Sequence, residues 1–228
     1  MDLPIRRGTY RLGVFGSMMD PPHLGHVAIV DAVHEACALD RVVVVPSGVP
    51  PHRPASTVSA RARLTMAVRA FADLDHVVVS DTEVDRGEHG ETGYMVDTLE
   101  ELRELPSLLG YHDLEVVATL VVGADQAVSL PTWHRFDRIT ELAEVAIVRR
   151  PDQLDDASLD AALDRLREAW GIAPSIVHMP AVAISSTLVR QAAADGDRET
   201  VGTLVPAAII DDVLRLYGPD EGTSTVRS

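Results

Sequence analysis

The sequence contains no lysine and no asparagine, and only one cysteine, Cys37. Every basic side chain other than histidine is therefore arginine. A Walker-type phosphate lysine, a Schiff-base lysine and a lysine general base are all excluded. A lone cysteine permits no intrachain disulfide and points to a cytoplasmic setting; within the apolar pattern of 27–39 it reads as a packed core thiol. No apolar run approaches the roughly 20 residues that span a bilayer. Residues 1–11 carry charge but lack the apolar stretch of a secretory signal, so none is expected. Positive charge is also scarce: 20 arginines face 35 aspartates and glutamates, a formal net charge of -15. That balance argues against nucleic acid or anionic membrane as partners. An anionic small ligand would need a local cluster of arginine, histidine and helix N-termini.

With 228 residues, 46% of them hydrophobic, the chain can bury a full core. It reads as one domain over 1–217, followed by an apolar-poor, disordered tail at 218–228. Apolar, β-branched runs alternate with helical periodicity, the pattern of a parallel sheet with crossover helices. Strands are expected at 10–15, 41–46, 76–80, 115–122, 145–149 and 175–179. Helices are expected at 24–38, 59–72, 95–105, 125–130, 133–142, 159–170, 186–194 and 206–216. Stretches rich in Gly, Pro and charge at 46–58, 81–93 and 149–158 read as loops. Continuous runs such as Val42-Val43-Val44-Val45 suit strands covered on both faces. The expected architecture is α/β: a Rossmann-like doubly wound parallel sheet with a helical C-terminal portion. Ligands in such sheets bind beyond the carboxyl ends of the strands.

Two segments at opposite ends of the chain carry chemistry. Gly16-Ser17-Met18-Met19-Asp20-Pro21-Pro22-His23-Leu24-Gly25-His26 joins a strand to a helix start bearing two histidines. Helix N-termini offer free N–H groups and partial positive charge, which suit phosphate. Ile184-Ser185-Ser186-Thr187-Leu188-Val189-Arg190 places three hydroxyls at another helix start, with a guanidinium one turn on. Ser185 and Thr187 can equally serve as N-caps, and Arg190 as a solvated helix charge. Gly123-Ala124-Asp125 ends an apolar strand where a carboxylate can accept from ribose hydroxyls or cap a helix. Trp133, one of two tryptophans, can stack on a heteroaromatic ring or pack in the core. Scattered carboxylates and one thiol offer no ligand set of their own for a metal.

His23-Leu24-Gly25-His26 and Ile184 to Arg190 resemble the H-x-G-H and I-S-S-T-x-x-R motifs of the nucleotidylyltransferase superfamily. Further features resemble the bacterial nicotinate-nucleotide adenylyltransferases. They are the spacing from Asp125 to Trp133, the loop Val49-Pro50-Pro51-His52-Arg53, the segment Gly93-Tyr94-Met95-Val96-Asp97-Thr98-Leu99, and the step Arg150-Pro151. The resemblance implies transfer of AMP from ATP to nicotinate mononucleotide, giving deamido-NAD and pyrophosphate, with Mg²⁺ carried on the triphosphate. It assigns catalysis to His23, His26 and Arg190. It assigns ATP binding to Gly16, Ser17, Asp20, Gly25, Gly123, Asp125, Ser185, Ser186 and Thr187. Ser47, His52, Arg53, Tyr94, Met95, Thr98, Trp133 and His134 would bind the acceptor, Trp133 by stacking on the pyridine ring. Backbone N–H groups near Met95 and His134 would receive its carboxylate.

The chain departs from the family where G-G-T-F-D-P becomes Gly16-Ser17-Met18-Met19-Asp20-Pro21, and where Met95 stands in place of a common threonine. Those departures keep other readings open. One is a relative acting on nicotinamide mononucleotide, on another phosphorylated acceptor, or with CTP. Another is a nucleotide-binding regulator without turnover. A homo-oligomer is also left open.

Overall fold

A computed structural model describes residues 8–49, 56–108, 114–150, 155–180 and 183–219. The chain opens with strand β1 (Gly8–Ser17), helix α1 (Leu24–Ala36) and strand β2 (Arg41–Pro46). Helix α2 (Ala60–Ala70), strand β3 (Val77–Val79), helix α3 (Thr82–Glu88) and helix α4 (Met95–Leu108) follow. Strand β4 (Leu114–Gly123) leads through the single turn α5 (Ala124–Ala127) and a 3-10 turn at Leu130–Thr132 to helix α6 (Phe136–Leu142). Strand β5 (Ala143–Arg149), helix α7 (Asp156–Trp170) and strand β6 (Ser175–His178) complete the sheet. Helices α8 (Ser186–Ala194), α9 (Arg198–Leu204) and α10 (Ile210–Tyr217) form the C-terminal portion.

The sheet order is β3-β2-β1-β4-β5-β6, and every pairing is parallel. Successive strands run outward from β1 to β3, then restart at β4 on the other side of β1. The reversal falls between β1 and β4, so helices leave their carboxyl ends toward opposite faces and open a crevice. Register places Phe15 opposite Val121, while Gly16 and Ser17 pair only with Val45 and Pro46 of β2. The end of β1 therefore projects into that crevice.

Side-chain alternation splits the core into layers. Leu12, Val14, Val43 and Val45 pack with residues of α4, α6 and α7 on one face. Phe15, Val42 and Val44 pack with Ile29, Val30 and Val33 of α1 on the other. All four valines from Val42 to Val45 are inaccessible to solvent, as strands covered on both faces require. A third cluster joins Met66 of α2 to Val189, Val201, Ile209 and Val213, fastening the C-terminal helices to the sheet's flank. Caps fix several helix starts: Ser59, Asp155, Ser185 and Asp197 each accept a backbone N–H from three residues on. Gly171, at φ 67°, ends α7 in the left-handed conformation that glycine adopts freely. Cys37 caps the end of α1 and packs, half-buried, against the second layer.

Some elements differ from the sequence reading. The loop expected at 81–93 contains α3, a short helix rich in acidic residues and without an apolar stripe to betray it. Helix α9 was likewise not expected; its buried contacts are only Val201 and Leu204. The helix expected from 133 starts at Phe136, because Trp133 is extended after the 3-10 turn. Much of the expected tail, 220–228, lies outside the described residues. Among the described residues, no helix is long and apolar enough to cross a membrane.

One close approach fixes the crevice wall. A Cβ at Gly48, just past β2, would lie 2.0 Å from the Glu83 carbonyl oxygen of α3. Since that oxygen is backbone, relief requires moving a helix. Gly48→Ala should therefore cost about 2 kcal/mol of stability in chemical denaturation; an unchanged midpoint would contradict this packing.

Candidate active site

The turn after β1 is built from residues that lock one another. His23 has extended backbone (φ -150°, ψ 169°) and caps α1, so its ring folds back over the first turn. A Cβ at Gly25 would lie 2.9 Å from that ring and 3.6 Å from the Ile184 carbonyl. The glycine thus makes room for His23 and for the segment leading into α8. The rings of His23 and His26 stack at 3.8 Å. The His23 backbone N–H donates to His26 Nδ1 at 3.2 Å, which assigns the ring proton of neutral His26 to Nε2. That Nε2–H faces the Ser17 hydroxyl at 3.2 Å.

Both histidines are buried, at 5% and 8% exposure. Burial, helped by the positive charge of Arg150, lowers His23 to about 4. Burial, then the neighbouring His23 and Arg150, holds His26 well below its ordinary value. Near pH 7 both rings are neutral hydrogen-bonding groups, with the cationic Arg150 facing them.

The C-terminal motif meets this turn. Ser186 Oγ donates to the Pro21 carbonyl at 3.1 Å, and Arg190 Nη1 donates to the Asp20 carbonyl at 2.6 Å. Arg190 also lies 3.9 Å from the Asp20 carboxylate. Ser185 caps α8 by accepting the Leu188 N–H, and Thr187 accepts from Arg190 Nη2 at 3.2 Å. Asp20 is a hub: its Oδ1 receives the Ser56 hydroxyl and the Tyr217 phenol, each at 2.7 Å. From below, the buried Arg63 guanidinium donates to the carbonyls of Met18, Ser47 and Gly48. It ties the exits of β1 and β2 together.

A cavity of about 370 Å³ opens beside this turn. Gly16, Ser17 and Met18 form one wall, with Ser47 and Glu83 below. Gly93, Tyr94 and Met95 form a second wall, and Gln126, Ser129, Thr132, Trp133 and His134 a third. Trp133 is half-buried and packs on the first core layer while lining the cavity. The Tyr94 and His134 rings meet at 4.1 Å with their planes tilted by 30°. The Met95 methyl occupies the space that a Cβ at Gly16 would fill.

Several expected residues lie elsewhere. Thr98 is buried, at 1% exposure, and accepts from Arg86 Nη1 at 3.2 Å rather than facing the cavity. Its interior position follows from helix periodicity: Leu102, four residues on, is buried on the same side of α4. Gly123 precedes α5 and Asp125 is exposed on its first turn; Gln126 is the residue of that segment that lines the cavity. His52 and Arg53 lie outside the described residues. Sequence reasoning missed Glu83, Arg63 and Tyr217, and it singled out the Arg150-Pro151 step without giving Arg150 a place in the site. Glu83 sits in the charge-rich stretch read as a loop, and Arg63 in an expected helix whose buried face was not assigned. Among the described residues, no group of three or more His, Cys, Asp or Glu side chains could hold a metal ion.

The chain matches the Cytidylyltransferase-like family over residues 14–192. It is similar to a Pseudomonas fluorescens protein named as a nicotinate-nucleotide adenylyltransferase, 33% identical over 212 residues, covering 88% of this chain and 92% of that one. A protein of the same name from Albidiferax ferrireducens is 39% identical over 140 residues, 61% of this chain and 66% of its own. Among solved structures, the fold matches the Plasmodium falciparum nicotinic acid mononucleotide adenylyltransferase complexed with NaAD. There the TM-score is 0.69 at 15% identity, covering 90% of this chain and 95% of that chain.

Because burial depresses His23, the unfolded chain binds more protons than the native one between about pH 6.5 and 4. That contribution to stability is intact above the unfolded value and is lost as pH falls through the folded one. Comparing melting temperatures of the wild type and His23→Gln over this window checks it. The wild type should lose ground to the variant on acidification; a constant difference would mean that His23 titrates normally.

Proposed function

The chain belongs to the cytidylyltransferase-like family, among the nicotinate-nucleotide adenylyltransferases, and from that premise we propose that it transfers AMP from ATP to nicotinate mononucleotide. The acceptor's phosphate oxygen forms a bond to the α-phosphorus, the bond to the bridging oxygen breaks, and pyrophosphate leaves with the electron pair. Such a reaction needs alignment and stabilisation of spreading charge more than covalent help. The observation carrying this reading is the joining of the two terminal motifs at one turn, through Ser186 to Pro21 and Arg190 to Asp20.

His26 Nε2–H, held in its donor tautomer by His23, is the group best aimed at an α-phosphate oxygen arriving near Ser17. His23 Nδ1 is buried without a partner among the described residues, and is available to a ligand on slight movement. Arg190, partly exposed, can exchange its Asp20 contacts for the outer phosphates, a geometry its fork suits. Ser185, Ser186 and Thr187 line the same helix start, with Arg150 adding positive charge on the histidine side. Gly16, Ser17 and Gly25 set how closely the triphosphate approaches, while Asp20 shapes the turn through its hydrogen bonds. Gly123 and Asp125 remain candidates for the ribose end. Mg²⁺ would arrive on the triphosphate and neutralise part of its charge, held by nucleotide oxygens and water rather than a protein cage.

The acceptor fits the neighbouring cavity, whose size is ordinary for a small-ligand pocket. Trp133 offers a face for the pyridine ring, with Tyr94, Met95 and His134 around it and Ser47 near the phosphate side. His52 and Arg53 would approach from the loop after β2. Thr98 supports this wall from within. A second reading, favoured by the apolar Met18 and Met95 in the cavity wall, is a different phosphorylated acceptor. The setting implied by either reaction is cytoplasmic.

Pyrophosphate release with ATP and a panel of acceptors, including nicotinate and nicotinamide mononucleotides and phosphopantetheine, tests the assignment. Nicotinate mononucleotide should give the highest kcat/KM; preference for a phosphate outside the pyridine nucleotides would overturn it. His26→Ala should lower kcat by about 100-fold or more, and near-normal turnover would remove its catalytic role. Trp133→Ala should raise KM for the pyridine nucleotide about 10-fold or more. A change confined to ATP would end the stacking proposal.

A further inference from the structure

Glu83 is the one carboxylate in the wall of the acceptor cavity that no motif predicted. It is 5% exposed yet lines the cavity together with Gly93, Tyr94, Met95, Trp133 and His134. Its backbone carbonyl is pinned against Gly48, which fixes where the side chain starts. Its carboxyl end lies 3.2 Å from where a Cβ at Gly93 would be, directly before the start of α4. A side chain at 93 would press the carboxyl a few tenths of an ångström out of this position, close to the turn that presents Tyr94 and Met95.

We propose that the Glu83 carboxyl is a specificity-determining group that weighs the acid against the amide form of the pyridine nucleotide according to its own protonation. The inference rests on the acceptor assignment made above. Arg86 of its own helix draws the carboxyl toward ionisation, Asp97 of α4 opposes that, and the nearby Thr98 of α4 also favours the ionised form. Arg86 is already shared with Thr98 and Glu101. Tyr94 and His134 face the same space from the opposite walls. Burial is the largest influence and pushes Glu83 up to about 7. The group therefore changes charge within the pH range where such an enzyme works.

The two states read the acceptor differently. A protonated Glu83 has an O–H that can donate to a pyridine carboxylate, which stays ionised throughout. An ionised Glu83 repels that carboxylate, whereas the uncharged carboxamide feels no such repulsion and can donate its N–H to it. The preference for nicotinate over nicotinamide should accordingly weaken as pH rises through about 7.

The test is steady-state pyrophosphate release at saturating Mg·ATP between about pH 6 and 8.5, bracketing that titration. KM is measured for nicotinate mononucleotide and for nicotinamide mononucleotide, or Ki where the amide turns over poorly. Both acceptors carry the same phosphate, so its titration cancels in their ratio. The acid-to-amide ratio of constants should rise roughly 10-fold across the range in the wild type. It should be independent of pH in Glu83→Gln, which keeps the shape and removes the titration. A flat ratio in the wild type overturns the proposal without any variant, so a variant that fails to fold leaves it testable. An equal slope in Glu83→Gln also overturns it. Release with neither mononucleotide would instead overturn the acceptor assignment beneath it.

Discussion

The crevice depends on the Met18–Pro21 turn, which is held from several parts of the chain at once. Met19 within it has φ 50° and is fully buried, a conformation a large side chain adopts only where its surroundings impose it. Arg63 grips the Met18 carbonyl from α2, Tyr217 and Ser56 satisfy the Asp20 carboxylate, and α8 contributes Arg190 and Ser186. Buried carbonyls and a part-buried carboxylate without these partners would be destabilising. The same contacts decide where His23 begins, and hence where α1 points both imidazoles.

This arrangement reconciles a net charge of -15 with an anionic ligand. Arg190 and Arg150 supply fixed positive charge next to the turn, while the histidines stay neutral because burial outweighs any gain from protonation. Neutral rings give directed hydrogen bonds without repelling the neighbouring guanidinium groups. Ser17 adds a hydroxyl where the family motif it resembles has glycine. In this chain the hydroxyl meets the His26 Nε2–H at 3.2 Å, at the end of β1. The apolar Met18 and Met95 line one cavity from two of its walls, so the departures from the family pattern cluster at that cavity.

Much of the architecture was legible beforehand, for reasons that can be named. Long β-branched runs such as 41–46 made strands that match the structure closely, because burial on both faces leaves a continuous apolar signal. Helices with caps and apolar stripes, such as 186–194, were equally clear. Helix α3 was not, because a seven-residue acidic segment has no periodicity to read and is held by its neighbours. The placement of Thr98 was missed for a related reason. Motif membership marks residues near a site but does not say which face of α4 turns inward.

The sequence by itself determined the strand and helix alternation, the family, and the two motifs that must serve one reaction, since local propensity and residue chemistry act over a few neighbouring positions. Only the tertiary structure decided that Arg190 rests on Asp20, 170 residues away. It also decided that Tyr217 braces that same carboxylate, and that Glu83 lies against the cavity with an altered affinity for protons. Those outcomes arise from burial and from contacts between distant segments, which exist only once the sheet order has brought the segments together.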